Sequence, residues 1–211
     1  QTFSAFQEAT GHTIVERYGM TETGMNTSNP IAGPRKAGTV GLPLEGVLYR
    51  IVDDEGSPVG TMTPGNLQVK GPNILKGYWR KPEQTAASFS EDGYFDTGDI
   101  AETDEDGYVK IVGREKDLII SGGLNVYPIE VETVINRYQG VVESAVIGVP
   151  HADFGEAVIA VIVSSDQGQL APESLIEHLK TSIANFKVPK RVIIVDQLPR
   201  NTMGKVQKNA L

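Results

Sequence analysis

One short segment near the start of the chain combines side chains that could act on a nucleoside triphosphate. Residues 18–23 are Tyr-Gly-Met-Thr-Glu-Thr. The Tyr18 ring can stack on a purine, the Thr21 hydroxyl can bond a phosphate oxygen, and the Glu22 carboxylate can hold Mg²⁺. A turn at a strand end, with an exposed threonine and glutamate, explains the same residues, so this segment alone leaves both interpretations open.

Two polar segments in the middle of the chain could bind the sugar of a nucleotide. In Tyr94–Asp99, the Asp99 carboxylate stands beside a glycine turn at a predicted strand end, where it could accept hydrogen bonds from paired ribose hydroxyls. In Gly113–Asp117, Arg114 could bind ribose or phosphate, and Lys116 could be a pivot that absorbs backbone rotation. On the residues alone, an ordinary Asx turn and a charged surface linker are the favoured explanations.

Two glycine-containing segments lie further along the chain. Gly122 and Gly123 belong to residues 121–125, a predicted flexible loop in which larger side chains would block close approach of a ligand. Lys205 lies in the basic segment 187–208, which has six bases and one acid. A lysine on a mobile loop could neutralise charge that develops at an α-phosphate. A plain hairpin turn and a solvated surface lysine are the alternatives.

These groups together suit the activation of a carboxylic acid by ATP. The carboxylate would attack the α-phosphorus, pyrophosphate would leave, and a thiol would then displace AMP from the acyl-adenylate. Such a site needs a wall for the base, a Mg²⁺ ligand, an acceptor for the ribose and a cation for the phosphate.

Composition limits the class of protein. The 211 residues are 39% apolar and 22% charged, as in ordinary globular proteins, and the net charge of −8 argues against nucleic-acid binding. The longest apolar stretch, 157–163, is too short to span a bilayer. The absence of cysteine excludes disulfides and thiolate chemistry and suits a reducing compartment. We therefore expect a cytoplasmic protein with no membrane span and no nucleic-acid partner.

The pattern of apolar residues changes near residues 113–117. Before this point, short strands alternate with glycine turns and predict a small antiparallel barrel or a distorted sheet; the predicted strands are 47–52, 67–70 and 108–112. After it, helices predicted to begin at Pro128 and Pro172 alternate with β-branched strands at 144–149, 157–163 and 191–195. The predicted fold class is α+β: a small β-barrel-like subdomain, then a compact α+β domain with a small sheet flanked by helices.

Taken in this order, the five polar segments resemble the adenylate-forming superfamily of acyl-CoA synthetases, luciferases and peptide-synthetase adenylation domains. The resemblance covers the whole chain. Four stretches are further similar to the bacterial malonyl-CoA synthetase family: 16–23, 25–30, 140–156 and 198–209. The resemblance implies an AMP-forming carboxylic acid–CoA ligase that uses ATP, Mg²⁺ and CoA, with malonate or a similar small carboxylate as substrate.

The resemblance gives each residue of the first segment a role. Tyr18 and the adjoining Gly19 would contact the nucleotide, with the Tyr18 ring on adenine. Met20 would line the acyl pocket, Thr21 would contact the α-phosphate, and Glu22 would coordinate Mg²⁺.

The later segments also receive roles from the resemblance. Asp99 would hold both ribose hydroxyls, and Arg114 would support ribose or phosphate. Lys116 would be the hinge of a C-terminal domain that rotates between the two half-reactions. The loop with Gly122 and Gly123 would help to form the channel for the CoA thiol. Lys205 would be required for adenylate formation, and in some relatives a protein lysine acetyltransferase switches this lysine off.

The chain departs from the superfamily pattern in one respect. No Ser/Thr/Gly-rich phosphate loop ending in lysine occurs, and the arginine-bearing part of an acyl pocket should also lie upstream. We therefore expect a C-terminal fragment, in which 1–115 is the end of the large adenylation domain and 116–211 is the mobile domain. A ligase for a short- or medium-chain fatty acid or an aryl acid is the alternative. A non-catalytic module is a further alternative for the isolated fragment.

The first prediction concerns the 211-residue polypeptide by itself. It should make no malonyl-AMP, because the phosphate loop and most of the acyl pocket would be missing. ATP–pyrophosphate exchange in the presence of malonate measures this step directly, and robust exchange by the isolated polypeptide would contradict the expectation.

Overall fold

The structure is a computed structural model, and it describes residues 2–165 and 170–211. The chain divides into two compact units, an N-terminal unit that ends at Glu115 and a C-terminal unit that begins at Lys116. Both units contain helices and sheets, so the predicted α+β class is confirmed. Within the described ranges, no helix is long and apolar enough to cross a membrane.

The N-terminal unit contains two antiparallel sheets. After the helix α1 (Thr2–Thr10), the strands β1 (Arg17–Met20), β2 (Gly24–Ser28) and β3 (Leu42–Pro43) form the first sheet in that order. The second sheet has the order β4-β5-β6-β7, with these strands at Leu48–Val52, Gly65–Lys70, Phe95–Thr103 and Val109–Arg114. The short helix α2 (Pro82–Ala87) lies in the connection between β5 and β6.

The second sheet places one row of side chains in the core of the N-terminal unit. Leu67 and Val69, two positions apart on β5, are each 1% exposed, as expected where alternate residues face the same side of a strand. They pack with Phe95 of β6 and Val109 of β7. The sheet is distorted by register shifts, one of them between Ile100 and its neighbour Ala101. The described strands do not close into a barrel, so the barrel-like part of the prediction is not confirmed.

In its described residues, the C-terminal unit has a mixed sheet and two α-helices. In chain order its elements are β8 (Ile119–Ser121), β9 (Leu124–Val126), α3 (Pro128–Ile135), β10 (Val141–His151), β11 (Gly155–Ser164), α4 (Pro172–Ser182) and β12 (Arg191–Val195). The sheet has the order β10-β11-β8-β9, and β12 pairs with β11 in parallel. The helix starts at Pro128 and Pro172 and the strand at 191–195 were therefore predicted correctly.

Both helices of the C-terminal unit pack their apolar side chains into one core. Val131 and Ile135 of α3 and Leu175 and Leu179 of α4 are all fully buried. Burial of each such side chain contributes roughly 1.5–3 kcal/mol. Helix α3 ends at Ile135, before Gly140, which has a positive φ of 87° in the turn that leads into β10.

Candidate functional site

The first polar segment forms a hairpin between β1 and β2. Residues 21–23 make the turn, in which Thr21 is exposed, Glu22 is half-buried and Thr23 is buried. Gly19 lies at a bulge in this hairpin. A Cβ atom added to Gly19 would lie 2.0 Å from the carbonyl oxygen of Gly24. Any side chain at this position would therefore displace the turn that carries Thr21 and Glu22.

Residues 73–75, which carried no sign of a functional role in the sequence, hold the backbone of this turn. The Asn73 side-chain nitrogen donates to the carbonyl oxygen of Thr23 at 2.7 Å and to the Asn26 side-chain oxygen at 3.1 Å. The backbone nitrogen of Leu75 donates to the carbonyl oxygen of Glu22 at 2.7 Å. The turn is thus held by its backbone, which leaves its outer side chains available to a ligand.

The Glu22 carboxylate could serve as one ligand of a Mg²⁺ ion whose other ligands are water and substrate phosphates. Its nearest polar partner is the Tyr78 hydroxyl, which donates to Oε1 over a long 3.4 Å. Within the described residues, no group of three or more Asp, Glu, His or Cys side chains could hold a metal ion by itself. Mg²⁺ is commonly held by one or two carboxylates together with substrate phosphates and water. The residues present fit that arrangement, with Glu22 as the ligand from the protein.

Asp99 is the most deeply buried carboxylate of the predicted site, at 3% exposure. It lies inside β6 and opposite Arg114 of β7, so its predicted position at a strand end was wrong. The Tyr18 hydroxyl donates to Oδ2 at 2.5 Å, and the Arg114 guanidinium forms an ion pair with the carboxylate, with 2.6 Å between Nε and Oδ1. The nearby Asx turn belongs to Asp96, whose side chain accepts from the backbone nitrogen of Gly98.

Burial of Asp99 and the two groups beside it have opposite effects on the pKa of its carboxyl. Desolvation raises the pKa of the Asp99 carboxyl, whereas the hydrogen bond from Tyr18 and the charge of Arg114 lower it, and the net shift is upward. Burial, and then the hydrogen bond to Asp99, also raise the pKa of the Tyr18 hydroxyl. Tyr18 therefore keeps its proton and acts as a donor, and the carboxylate is held in one orientation from both sides.

Met20 packs against the core of the N-terminal unit. It is half-buried and packs against the buried cluster that includes Leu67 and Phe95. Its sulfur is 3.9 Å from the Tyr18 hydroxyl. Its role in an acyl pocket stays a prediction.

The glycine segment of the C-terminal unit forms a tight hairpin turn. Gly122 and Gly123 connect β8 to β9 with φ values of 60° and 77°. Positive φ at both central residues is typical of a type I′ turn, which explains the two glycines. The Gly122 nitrogen also donates to the carbonyl oxygen of Phe154 at 2.8 Å. Lys116 is exposed on a single 3₁₀ turn, Glu115–Asp117, at the start of the unit.

The backbone around Lys205 is an ordered turn. The Asn201 side-chain oxygen accepts from the backbone nitrogens of Met203 and Lys205, each at 3.0 Å. Gly204 has a φ of 78°, and its carbonyl oxygen accepts from Arg200 at 2.6 Å. The Lys205 side chain itself is exposed. The backbone that carries this lysine is therefore held by local hydrogen bonds, and delivery of the lysine by a mobile loop stays a prediction.

The basic segment is partly neutralised by the rest of the C-terminal unit. Three of its six bases form ion pairs with glutamates: Lys187 with Glu130, Arg200 with Glu143 and Lys208 with Glu132. In the part of the chain that the structure describes, Lys205 forms no ion pair. The unpaired ammonium of Lys205 is therefore available to an anion.

The structure brings some of the predicted site residues together within each unit. Tyr18, Asp99 and Arg114 are in direct contact, and Thr21 and Glu22 share the hairpin that presents Tyr18. Lys116, the Gly122–Gly123 turn and Lys205 belong to the C-terminal unit. Their predicted roles toward a nucleotide or a thiol stay predictions.

Two families of known proteins match the chain. The AMP-binding enzyme family matches residues 1–79, and the AMP-binding enzyme C-terminal domain matches residues 130–205. Among curated relatives, a malonate–CoA ligase of Arabidopsis thaliana is 42% identical over 98% of this chain and 35% of the relative. A long-chain-fatty-acid–CoA ligase of Yersinia pestis is also 42% identical, over 98% of this chain and 36% of the relative. The chain thus spans about a third of the length of these relatives.

Solved structures give a similar result. The ATP-bound MatB from Rhodopseudomonas palustris matches with a TM-score of 0.95 and 55% identity, over 99% of this chain and 42% of that chain. An o-succinylbenzoate CoA synthetase from Bacillus subtilis, in complex with its acyl-adenylate, matches with a TM-score of 0.88 and 32% identity, over 97% of this chain and 42% of that chain.

The second prediction concerns the hydrogen bond from Tyr18 to Asp99. Tyr18→Phe removes a donor that stabilises the ionised carboxylate, so the pKa of Asp99 should rise above its already raised value. Carbon-13 NMR of the Asp99 carboxyl as a function of pH measures the shift. The substitution affects the ionised form of Asp99. The resulting loss of folding free energy should therefore be small at pH values below the folded-state pKa of Asp99 and grow as the pH rises through that pKa toward the higher pKa of the variant.

Tyr108→Phe is the matched control. The Tyr108 hydroxyl donates to the backbone carbonyl of Pro34, in the same unit, at 2.8 Å. It should leave the titration of Asp99 unchanged. Equal effects of the two substitutions would contradict the assignment of Tyr18 as the donor to this carboxylate.

Proposed function

Because the chain belongs to the adenylate-forming superfamily, we propose that it is the C-terminal part of an AMP-forming ligase that joins malonate to CoA through a malonyl-adenylate. The membership predicted from the polar segments is confirmed by both matching families. ATP and CoA are substrates of this class of ligase. The substrate, the whole reaction and the roles of individual residues are parts of the proposal.

The observation that carries the proposal is the geometry around Asp99. A carboxylate has two oxygens with about four lone-pair positions in total. Tyr18 occupies one position on Oδ2, and the Arg114 guanidinium balances the charge beside Oδ1 as an ion pair. The remaining positions on the two oxygens would accept hydrogen bonds from the two neighbouring hydroxyls of a ribose. The same contact fixes the Tyr18 side chain, whose ring would pack on the adenine.

The hairpin beside Tyr18 would serve the phosphates. The exposed Thr21 hydroxyl would donate to the α-phosphate, and the half-buried Glu22 would hold Mg²⁺. Bound there, Mg²⁺ would neutralise phosphate charge. Asn73 would keep both side chains in place through the backbone of the turn.

The C-terminal unit would supply a different group for each half-reaction. In the first, the unpaired ammonium of Lys205 would stabilise the charge that develops at the α-phosphate. In the second, after rotation about Lys116, the Gly122–Gly123 turn would line the channel for the CoA thiol. Alternation of this kind would let one site perform two reactions while the adenylate stays out of bulk water.

A long-chain fatty acid is the second candidate substrate. The curated relatives do not separate it from malonate, because both kinds of ligase are 42% identical to this chain. The 55% identity with the ATP-bound MatB structure supports malonate. For this reason malonate is the proposed acid.

Two further parts of the proposal concern the setting of the protein. The exposed ammonium of Lys205 is accessible to a protein lysine acetyltransferase, and acetylation would remove the charge that adenylation requires. A cytoplasmic location would suit a chain without cysteine that works on ATP and CoA.

The third prediction separates the two half-reactions in the full-length protein. Lys205→Ala should slow malonyl-AMP formation, followed by ATP–pyrophosphate exchange, by about 10²–10³-fold, because a cation at the developing charge is lost. Formation of malonyl-CoA from supplied malonyl-AMP should be largely spared. Lys180→Ala, at an exposed lysine of α4 that pairs with Glu177, is the control and should leave both steps unchanged. Equal loss of both steps in Lys205→Ala would contradict the alternation.

The fourth prediction concerns the acid. In the full-length protein, kcat/KM for CoA-ester formation should be highest with malonate in a comparison of malonate, methylmalonate, acetate, octanoate and palmitate. A preference for octanoate or palmitate would exclude malonate as the substrate and favour a medium-chain or a long-chain fatty acid, respectively.

A further inference from the structure

The glycine turn of the C-terminal unit is tied to the connection between β10 and β11. The backbone nitrogen of Gly122 donates to the carbonyl oxygen of Phe154 at 2.8 Å. Strands β8 and β11 pair in antiparallel orientation, and among the described residues their one paired position is Ser121 with Gly155. The backbone nitrogen of Ile120 donates to Oε2 of Glu156 at 2.7 Å. Three consecutive residues before and within the turn are thus each held by one residue of 154–156.

The contact to Glu156 differs from the other two because its acceptor is a side chain. Beyond the Ser121 pair, no further residue of β11 is in register with β8. The nitrogen of Ile120 therefore has no strand carbonyl on that side, and the Glu156 carboxylate takes its place. A backbone N–H that finds a charged acceptor gains more than one bonded to a neutral carbonyl.

The place of this carboxylate depends on a glycine in the neighbouring strand. A Cβ atom added to Gly148 of β10 would lie 2.6 Å from Oε1 of Glu156 and 3.1 Å from Cγ2 of Ile119. Gly148 is not among the glycines with positive φ, so its backbone conformation would accept other residues. Space for the Glu156 carboxylate is therefore the reason that the structure offers for glycine at this position.

We propose that Glu156 is a positioning residue for the Gly122–Gly123 turn, and that Gly148 leaves the room in which it acts. The inference rests on the proposed function, in which this turn takes part in the thioester step. Without the Glu156 acceptor, two of the three contacts described above are left, the Ser121–Gly155 pair and the hydrogen bond from Gly122 to Phe154. The turn then loses its fixed position, and thioester formation slows while adenylate formation does not.

The fifth prediction tests this in the full-length protein with three substitutions. Glu156→Ala removes the acceptor, Gly148→Ala crowds it from the opposite strand, and Glu156→Gln keeps an amide oxygen that can accept from Ile120. In the two alanine variants, hydrogen exchange in the peptide 118–124 should accelerate about tenfold, the order expected for loss of one hydrogen bond. Malonyl-CoA formation from supplied malonyl-AMP should slow by about the same factor.

The controls make the outcome specific. ATP–pyrophosphate exchange should stay within about twofold in all variants, since adenylation does not use the turn. Glu156→Gln should restore most of both losses. Glu173→Ala, at an exposed carboxylate of α4, should change nothing. Because Gly148→Ala leaves Glu156 in the chain, it tests the contact even if Glu156→Ala fails to fold.

Three results would overturn the inference. Unchanged hydrogen exchange in both alanine variants would show that Glu156 does not hold the turn, whatever the enzyme does. Faster exchange with an unchanged thioester rate would remove the positioning role. Equal loss of both half-reactions would assign Glu156 to stability alone. A wild-type protein that forms no CoA ester would instead contradict the proposed function, and the exchange measurement distinguishes that failure from the other three.

Discussion

The candidate site depends on one buried carboxylate and the two groups that hold it. Asp99 is almost fully removed from solvent, and burial of an unpaired charge would cost several kcal/mol. Tyr18 and Arg114 offset that cost, and each comes from a different strand, so β1, β6 and β7 must all be in register for the carboxylate to be satisfied. The hairpin that carries Thr21 and Glu22 begins directly after Tyr18, and its position therefore follows from the same contacts.

The C-terminal unit uses a different means to position its polar groups. The turns that carry Gly122 and Lys205 are exposed, and in each case nearby backbone nitrogens donate to acceptors outside the turn residues themselves. Asn201 holds the backbone around Lys205, whereas Phe154 and Glu156 hold the glycine turn. The sheet and the two α-helices form the packed body of the unit. These hydrogen bonds attach to it the two turns whose groups would contact a ligand.

Local sequence patterns predicted the helices and strands well, but they predicted the surroundings of the site residues less well. The prolines at 128 and 172 and the β-branched run at 191–195 are short-range signals, and all three mark real element boundaries. The strand end predicted at Asp99 was wrong, because Gly98 and Asp99 have low β-propensity and the strand continues to Thr103 through its pairing with neighbouring strands. The glycine pair was predicted as a flexible loop, although Gly-Gly between two apolar runs is also a signal for a type I′ hairpin.

Contacts between residues far apart in the chain could not be predicted from the sequence alone. Asn73 acts on a turn about 50 positions earlier in the chain, and Glu156 acts on a nitrogen 36 positions earlier. A single sequence carries no periodic signal for such pairs. Gly148 could have been noticed as a glycine inside a β-branched strand, where it often marks close approach of another group.

The ordered turn around Lys205 limits how its charge can be delivered. Since Asn201 and Arg200 fix the backbone, local flexing of the chain adds little to the reach of the four-carbon side chain. In the proposed alternation, larger displacements of the ammonium would come from movement of the C-terminal unit as a whole. An effector of the proposed ligase would then act far from the nucleotide, on any surface of that unit whose occupation hinders the movement.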